Sequence, residues 1–209
     1  MDTRLRVGRS IRKSESEVAM ELMARLKARG NPDKPPAVST DGNDSYPEAM
    51  LETWGKVPEY SGRGRPPTRK MADPDWKCIQ IIKTRSGGRL VSISYKVVFG
   101  DTNEVCDLMG LHTAYIERTH LTSRLMNGRL VRKTLSFSKE IEMLRASCAW
   151  EDCVYNLVRP NKSLRVQSVD SDRCWMQRSP AMAAGLTDHI WTVKEILMNV
   201  VIPRRSNMK

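Results

Sequence analysis

The chain has few aromatic side chains and no long apolar run. Its 209 residues include two Phe, five Tyr and five Trp, which together make 6% of the chain. So few aromatic rings argue against a protein that stacks single-stranded DNA or RNA bases on an aromatic platform. No run of eighteen apolar residues occurs, so we expect no membrane-spanning helix. The opening MDTRLRVGRSIRK has early charge but no apolar stretch after it, which argues against a secretory signal.

The sequence has few cysteines, and their number and spacing match no common motif. The five cysteines are an odd number, and no two of them form a CxxC pair. This pattern disfavours both a disulfide framework and a zinc knuckle, and it fits a reducing cytoplasm. We therefore expect a cytoplasmic protein without a membrane partner.

Positive charge is the property the sequence has in excess. The 35 Lys and Arg against 24 Asp and Glu give a net charge of +11. Such an excess favours a polyanionic partner, of which nucleic acid is the commonest. The alternative is a basic soluble protein without a specific site, since the same charge also serves solubility.

The first 55 residues show the pattern of an α/β fold. Residues 3–11 alternate in hydrophobicity and predict a strand, and residues 37–40 predict a second strand that ends at Asp41. Between them, Ser14 and Glu17 match a capping box that begins a helix, and Gly30 ends it. A second helix is predicted from Ser45 to Trp54. Strand, helix, strand, helix is typical of a sheet with helices packed on it.

A basic segment separates this part from the rest of the chain. Residues 56–75 are rich in proline, glycine and basic residues and predict an extended linker. A β-hairpin is predicted next, with a turn at residues 86–88. The helices predicted after it span residues 104–109, 113–127, 137–156 and 187–198, and residues 161–180 predict irregular structure.

Two acidic residues are candidate metal ligands. Asp41 ends a predicted strand, and Glu117 lies on a predicted helix. Sites in open α/β sheets form at the carboxyl ends of strands. Two such carboxylates could share Mg²⁺, which binds hard oxygen ligands and lets substrate phosphates complete its shell. The alternatives are that Asp41 is a turn residue and Glu117 a solvated helix residue paired with an arginine.

Cations accompany Glu117 along the chain. Glu117, His120 and Arg124 have spacings that place them on one helix face. Further cations follow at Arg132, Lys133 and Lys139. A carboxylate beside a row of cations fits metal and phosphate chemistry, in which the cations position a DNA backbone.

Four collinear blocks carry a family resemblance. The main block is TAYIERTHLTSRLMNGRLVRKTLSFSKEIEMLRASCAWEDCVYNLVRPNKSLR, at 113–165. The others are STDGNDSYPEAM, GRGRPP and RSPAMAAGLTDHIWTVKEIL. Together they resemble bacterial and archaeal DNA transposases of the insertion-sequence-one type. The resemblance implies an RNase H-like fold and DDE chemistry, in which two Asp and one Glu bind Mg²⁺ (or Mn²⁺). It implies that Asp41 is the second acid and Glu117 the third, and that the partners are transposon ends and target DNA.

The sequence departs from this family at its start. The first catalytic Asp is not found, since Asp2 falls where the family has a turn. We therefore expect an RNase H-like domain that is incomplete at its N-terminus, in a truncated or inactivated transposase. The expected domain is residues 1–157, with a basic linker and hairpin insertion at 56–100, followed by a tail at 158–209 that contains a short helix. The alternative function is a non-catalytic DNA-binding protein that occupies transposon ends or regulates intact transposase, with a second copy of the chain as a further partner.

Overall fold

The structure is a computed structural model that describes residues 3–60, 62, 64–109, 114–168 and 174–199. The chain is mixed α/β and forms two compact units. The sheet unit contains Val7–Leu121, and the helical unit contains Met1–Arg6 with Thr122–Lys209. This division differs from the boundary predicted at residue 157, which rests on a family resemblance and stays a prediction.

The sheet unit alternates helices and strands. Its elements are α1 (Glu15–Arg29), β1 (Val38–Asp41), α2 (Ser45–Trp54), β2 (Cys78–Ser86), β3 (Arg89–Phe99), α3 (Thr102–Met109) and the first part of α4 (Ala114–Met126). The strands form one sheet in the order β1-β2-β3. β1 and β2 are parallel, and β2 and β3 form an antiparallel hairpin.

The starts and ends of the first elements follow from local residues. Ser14 caps α1 by accepting a hydrogen bond from the Glu17 amide, as predicted. α2 spans the predicted Ser45–Trp54. In the hairpin, Gly87 and Gly88 have φ of 58° and 79°, the left-handed values that a two-residue turn between twisted strands requires.

Both helices pack on one face of the sheet. α1 turns Ala19 and Met23 inward, and α2 turns Met50 and Trp54 inward. The complete buried cluster is Ala19, Met23, Ala49, Met50, Trp54, Trp76 and Cys78. Burial raises the pKa of the Cys78 thiol to about 11, so this cysteine is a core residue and not a nucleophile.

The strand predicted over residues 3–11 is wrong. Within the described residues this segment is extended but pairs with no strand. Side chains satisfy its backbone instead. The Arg6 amide donates to Asn156 Oδ1 (3.0 Å), and Asn156 Nδ2 donates to the Arg6 carbonyl (2.9 Å). The Arg25 guanidinium donates to the Arg9 carbonyl (2.8 Å). The hydrophobic alternation therefore did not indicate strand pairing, because side chains bond to this backbone in place of a neighbouring strand.

The helical unit contains short elements. They are a 3₁₀ turn at Gly128–Leu130, α5 (Ile141–Cys153), a π-turn at Val154–Val158, a 3₁₀ turn at Lys162–Leu164, β4 (Val166–Gln167), β5 (Trp175–Met176), α6 (Pro180–Ala183) and α7 (Val193–Met198). β4 and β5 pair inside a segment predicted to be irregular. The last helix does not begin at Thr187. Thr192 and Glu195 form a reciprocal capping box that fixes its start at Val193.

Glu21 predicts an acid dependence of stability in the sheet unit. Hydrogen bonds from Ser10, Arg25 and Arg12 hold its pKa down, to about 2 from an ordinary 4.5. A depressed folded-state pKa stabilises the fold above the unfolded-state value, and this contribution is lost as pH falls from 4.5 toward 2. We expect Glu21→Gln to lower stability at pH 7 and to weaken its dependence on pH in this range. Urea unfolding at pH 7, 4 and 3 measures this, with Glu17→Gln, an exposed change on the same helix, as the control. If the free energy of unfolding of Glu21→Gln falls between pH 7 and pH 3 as much as that of the wild-type chain, this explanation is contradicted.

No helix among the described residues combines the length and apolarity needed to cross a membrane.

Candidate functional site

Asp41 is the last residue of β1 and is exposed. Its Oδ1 accepts a hydrogen bond from the Asn43 amide (3.3 Å). This bond forms the turn between β1 and α2, so the alternative reading of Asp41 as a turn residue describes a real contact. A turn role and a ligand role are compatible, because a carboxylate has two oxygens that accept several hydrogen bonds or metal bonds.

Negative charge gathers around the start of α2. Burial raises the pKa of Tyr46, and the nearby charges of Asp41 and Glu15 raise it further. Glu15 also accepts a hydrogen bond from Asn43 Nδ2 (2.8 Å). The turn after β1 therefore lies in a negative field, which favours the approach of a cation.

Glu117 lies on α4 and forms an ion pair with Lys83 of β2. The carboxylate is more than half exposed, whereas the lysine is largely covered. An exposed ion pair contributes little to stability, so this contact matters more for where it holds Glu117 than for the fold. It ties the helix carboxylate to the sheet.

Asp41 and Lys83 lie on the same face of the sheet. Asp41 is in register with Ile81, and Lys83 follows two residues later on the same strand. Residues in register share a face, and side chains alternate along a strand, so Asp41, Ile81 and Lys83 point to one side. Strand spacing places the Cα atoms of Asp41 and Lys83 roughly 8 Å apart. The ion pair thus brings Glu117 to the face and end of the sheet that carry Asp41.

The predicted phosphate contacts divide between the units. His120 lies one turn after Glu117 in the sheet unit, and its exposed position suits contact with a ligand. The remaining cations belong to the helical unit and are all exposed: Arg124, Arg132, Lys133 and Lys139. Lys133 lies in a turn with a φ of 56°. Their role with DNA stays a prediction.

The two carboxylates offer oxygen ligands of the kind that Mg²⁺ binds. Mg²⁺ is commonly held by one or two carboxylates together with substrate phosphates. Within the described part of the chain, no group of three His, Cys, Asp or Glu side chains could hold a metal. Lys83 also neutralises Glu117 as the structure stands. Asp41 and Glu117 therefore suit an ion that arrives with a phosphate better than an ion bound before it.

Lys83 is the residue that the sequence interpretation missed. It follows Cys78–Ile82 of β2, of which the first four residues are buried, and alternation places it beside Ile81 on the face that carries Asp41. A cation just beyond a buried strand segment, next to a strand-end acid, was the available signal.

A separate cavity of about 550 Å³ lies in the helical unit. Both polar and aromatic side chains line it, among them Asn127, Arg129, Phe137, Trp150 and Glu151. Its lining among the described residues includes none of the predicted site residues. The candidate site is thus a surface formed by strand ends and not this cavity.

Comparison of the chain with protein-family models, with curated proteins and with solved structures found no match.

Proposed function

We propose that the chain is a DNA transposase with an RNase H-like sheet unit, and that Asp41 and Glu117 form its metal-dependent centre. The supporting observation is the position of the two acids. Asp41 ends the first strand of a parallel β1–α2–β2 unit, and Lys83 holds Glu117 on the same face. Carboxylates at the carboxyl edge of a parallel pair suit a substrate bound outside the sheet.

Each side chain has a distinct role in this proposal. Asp41 and Glu117 would hold Mg²⁺ or Mn²⁺, and the bound ion supplies charge neutralisation at the scissile phosphate. Lys83, which faces Glu117, stabilises the carboxylate before DNA binds and is placed to contact a phosphate afterwards. His120 on α4 and the exposed cations of the helical unit bind the DNA backbone, which positions DNA without reading its sequence.

A plasmid-nicking assay tests the catalytic proposal. We expect the full chain to convert supercoiled plasmid to the open circular form slowly, because only two of the family's three acids are identified in it, and to do so with Mg²⁺ or Mn²⁺ and not with EDTA. Asp41→Asn and Glu117→Gln should each remove this activity while DNA affinity is retained, because both changes keep the side-chain size and delete a metal-binding charge. Lys83→Met should weaken plasmid binding more than it alters metal dependence.

Asp44→Asn is the matched control for Asp41→Asn. Asp44 lies three residues away, but its carboxylate accepts a hydrogen bond from Gln80 Nε2 (3.2 Å), a residue in register with Thr40 on the other face. Nicking should survive in Asp44→Asn. Nicking that persists in both Asp41→Asn and Glu117→Gln would show that these acids are not the centre.

A non-catalytic DNA-binding protein is the second candidate. The observation that favours it is the Lys83–Glu117 ion pair, which neutralises one of only two candidate ligands. This function predicts DNA binding without nicking in either metal. It also predicts that Glu117→Gln strengthens binding, because the change removes a negative charge beside Lys83.

A further inference from the structure

The basic segment after α2 is a closed loop. Lys56 and Met71 pair through two backbone hydrogen bonds of 3.2 and 2.9 Å. Lys70 Nζ donates to both the carbonyl and the carboxylate of Glu52, each at 2.6 Å. These contacts fix the two ends of residues 56–71, here named the basic loop, beside the end of α2. The residues between them are presented from an anchored base.

The middle of the basic loop is a turn that contains Gly62 and Gly64. The Tyr60 hydroxyl donates to the Gly64 carbonyl (2.9 Å) and closes the turn. Gly62 and Gly64 have φ of 80° and 76°, and a Cβ at either position would meet no atom within 4 Å. The turn therefore projects away from the described neighbours. Pro66 and Pro67 follow and keep the chain extended, because their rings fix φ.

Arginine is the cation that this loop presents. Arg65 and Arg69 are exposed, and no ion pair to either occurs among the described residues. The lysines at the base are engaged, since Lys70 pairs with Glu52 and Lys56 lies 3.9 Å from Asp73. Arg63 lies outside the described residues and adds a guanidinium by sequence alone. The tip is thus a small, positively charged projection.

The shape of this projection suits the minor groove of duplex DNA. The major groove is read by an α-helix or a two-stranded ribbon, and the described residues between Val57 and Arg69 contain neither. The minor groove is about 6 Å wide and becomes narrower and more negative over A·T runs, where it attracts arginine. Glycine beside Arg65 leaves no side chain to collide with the groove walls.

We propose that Gly64 and Arg65 of the basic loop dock in the minor groove of A·T-rich duplex DNA, with Arg69 on a neighbouring phosphate. This inference rests on the proposed function, in that the chain must act on DNA. It adds a preference of DNA shape and composition that neither Asp41 nor Glu117 supplies. The closed base limits the ordering that docking requires, because both ends of the loop are already held.

Three labelled duplexes of equal length test the proposal by fluorescence anisotropy of the full chain. Their centres contain A·T pairs, G·C pairs or inosine·C pairs. Inosine lacks the amino group that guanine places in the minor groove but keeps the major-groove edge of guanine. We expect A·T and inosine·C centres to bind about tenfold more tightly than G·C centres.

Arg65→Ala should reduce this preference to less than about twofold, with weak binding to all three duplexes retained through phosphate contacts. Arg85→Ala removes the same charge from an exposed position on β2 and should leave the preference intact. Equal affinity of the wild-type chain for all three duplexes would overturn the loop proposal and leave DNA binding standing. Weak binding to both G·C and inosine·C would indicate major-groove readout and overturn it too. Binding to none of the duplexes would overturn the proposed function together with the loop proposal.

Discussion

Replacing Arg6 by alanine should lower the free energy of unfolding of the helical unit by about 3–5 kcal/mol. Arg6 Nη1 lies 2.6 Å from Glu151 Oε1 and 3.0 Å from Asp152 Oδ1. Its guanidinium also lies 3.7 Å from the centre of the Tyr155 ring. The side chains of Arg6 and Glu151 are 8% and 3% exposed. Removal of the arginine takes a guanidinium away from a buried carboxylate, which costs far more than the loss of an exposed ion pair.

Arg12→Ala is the matched control for Arg6→Ala. Arg12 also donates to a carboxylate, that of Glu21, but its side chain is 42% exposed, and Glu21 keeps bonds from Ser10 and Arg25. We expect a loss of about 1 kcal/mol or less. Urea unfolding followed by circular dichroism measures both variants. If Arg6→Ala and Arg12→Ala lower the free energy of unfolding by the same small amount, water reaches Glu151 and the Arg6–Glu151 ion pair is not buried.

A double variant distinguishes the loss of the Arg6–Glu151 ion pair from the cost of leaving the Glu151 carboxylate charged without Arg6. Arg6→Met with Glu151→Gln removes both charges and keeps most of the volume. We expect it to be more stable than Arg6→Met alone, because the more deeply buried of the two carboxylates that contact Arg6 has lost its charge, and only Asp152, with a side chain 20% exposed, remains. Additive losses in the double variant would contradict this explanation.

Trp76→Ala is the second large effect and should destabilise the sheet unit by about 3–5 kcal/mol. Trp76 is 1% exposed and meets Phe99 edge to face, with ring centres 5.6 Å apart. Its truncation leaves a cavity between α2, β2 and the end of β3, since the ring belongs to the same buried cluster as Trp54 and Cys78. Trp175→Ala, at a ring that is 46% exposed, is the matched control and should cost about 1 kcal/mol or less.

Trp76→Phe should cost much less than Trp76→Ala. The indole Nε1 is buried and has no hydrogen-bond partner among the described residues, so phenylalanine removes an unsatisfied donor as well as some volume. We expect a loss of about 1 kcal/mol, read from the urea midpoint at constant slope. A loss as large as that of Trp76→Ala would indicate that Nε1 makes a necessary bond.

Local signals in the sequence predicted the sheet unit well. Ser14 and the two glycines of the hairpin turn each fix an element end through backbone chemistry that needs no distant partner. Consequently α2 has the predicted bounds, whereas the hairpin turn is Gly87–Gly88, one residue shorter than the predicted 86–88 because Ser86 pairs with Arg89. The last helix was misplaced because two threonines compete for its start, and only the Thr192–Glu195 pair forms the reciprocal cap.

Distant contacts were beyond prediction from a single sequence. Hydrophobic and polar residues do alternate over residues 3–11. The side chains of Asn156 and of the arginines in α1, however, hydrogen-bond to this backbone, and no neighbouring strand does. The candidate site shows the same limit. Asp41 could be placed at a strand end from its own neighbours, whereas its relation to Glu117 depends on Lys83, which lies 34 residues before that glutamate. The metal and DNA roles of these residues stay predictions.

The division into units has a consequence for synthesis on the ribosome. Arg6 belongs to the helical unit, yet its partner Glu151 lies 145 residues later in the chain. At translation rates of 5–20 residues per second, roughly 7–30 s separate the emergence of the two residues. All of Val7–Leu121 leaves the ribosome in that interval and can fold, while the N-terminal arginine still lacks its counter-charge. A nascent chain stalled before Glu151 should therefore hold a protease-resistant sheet unit behind an N-terminus that remains open to cleavage.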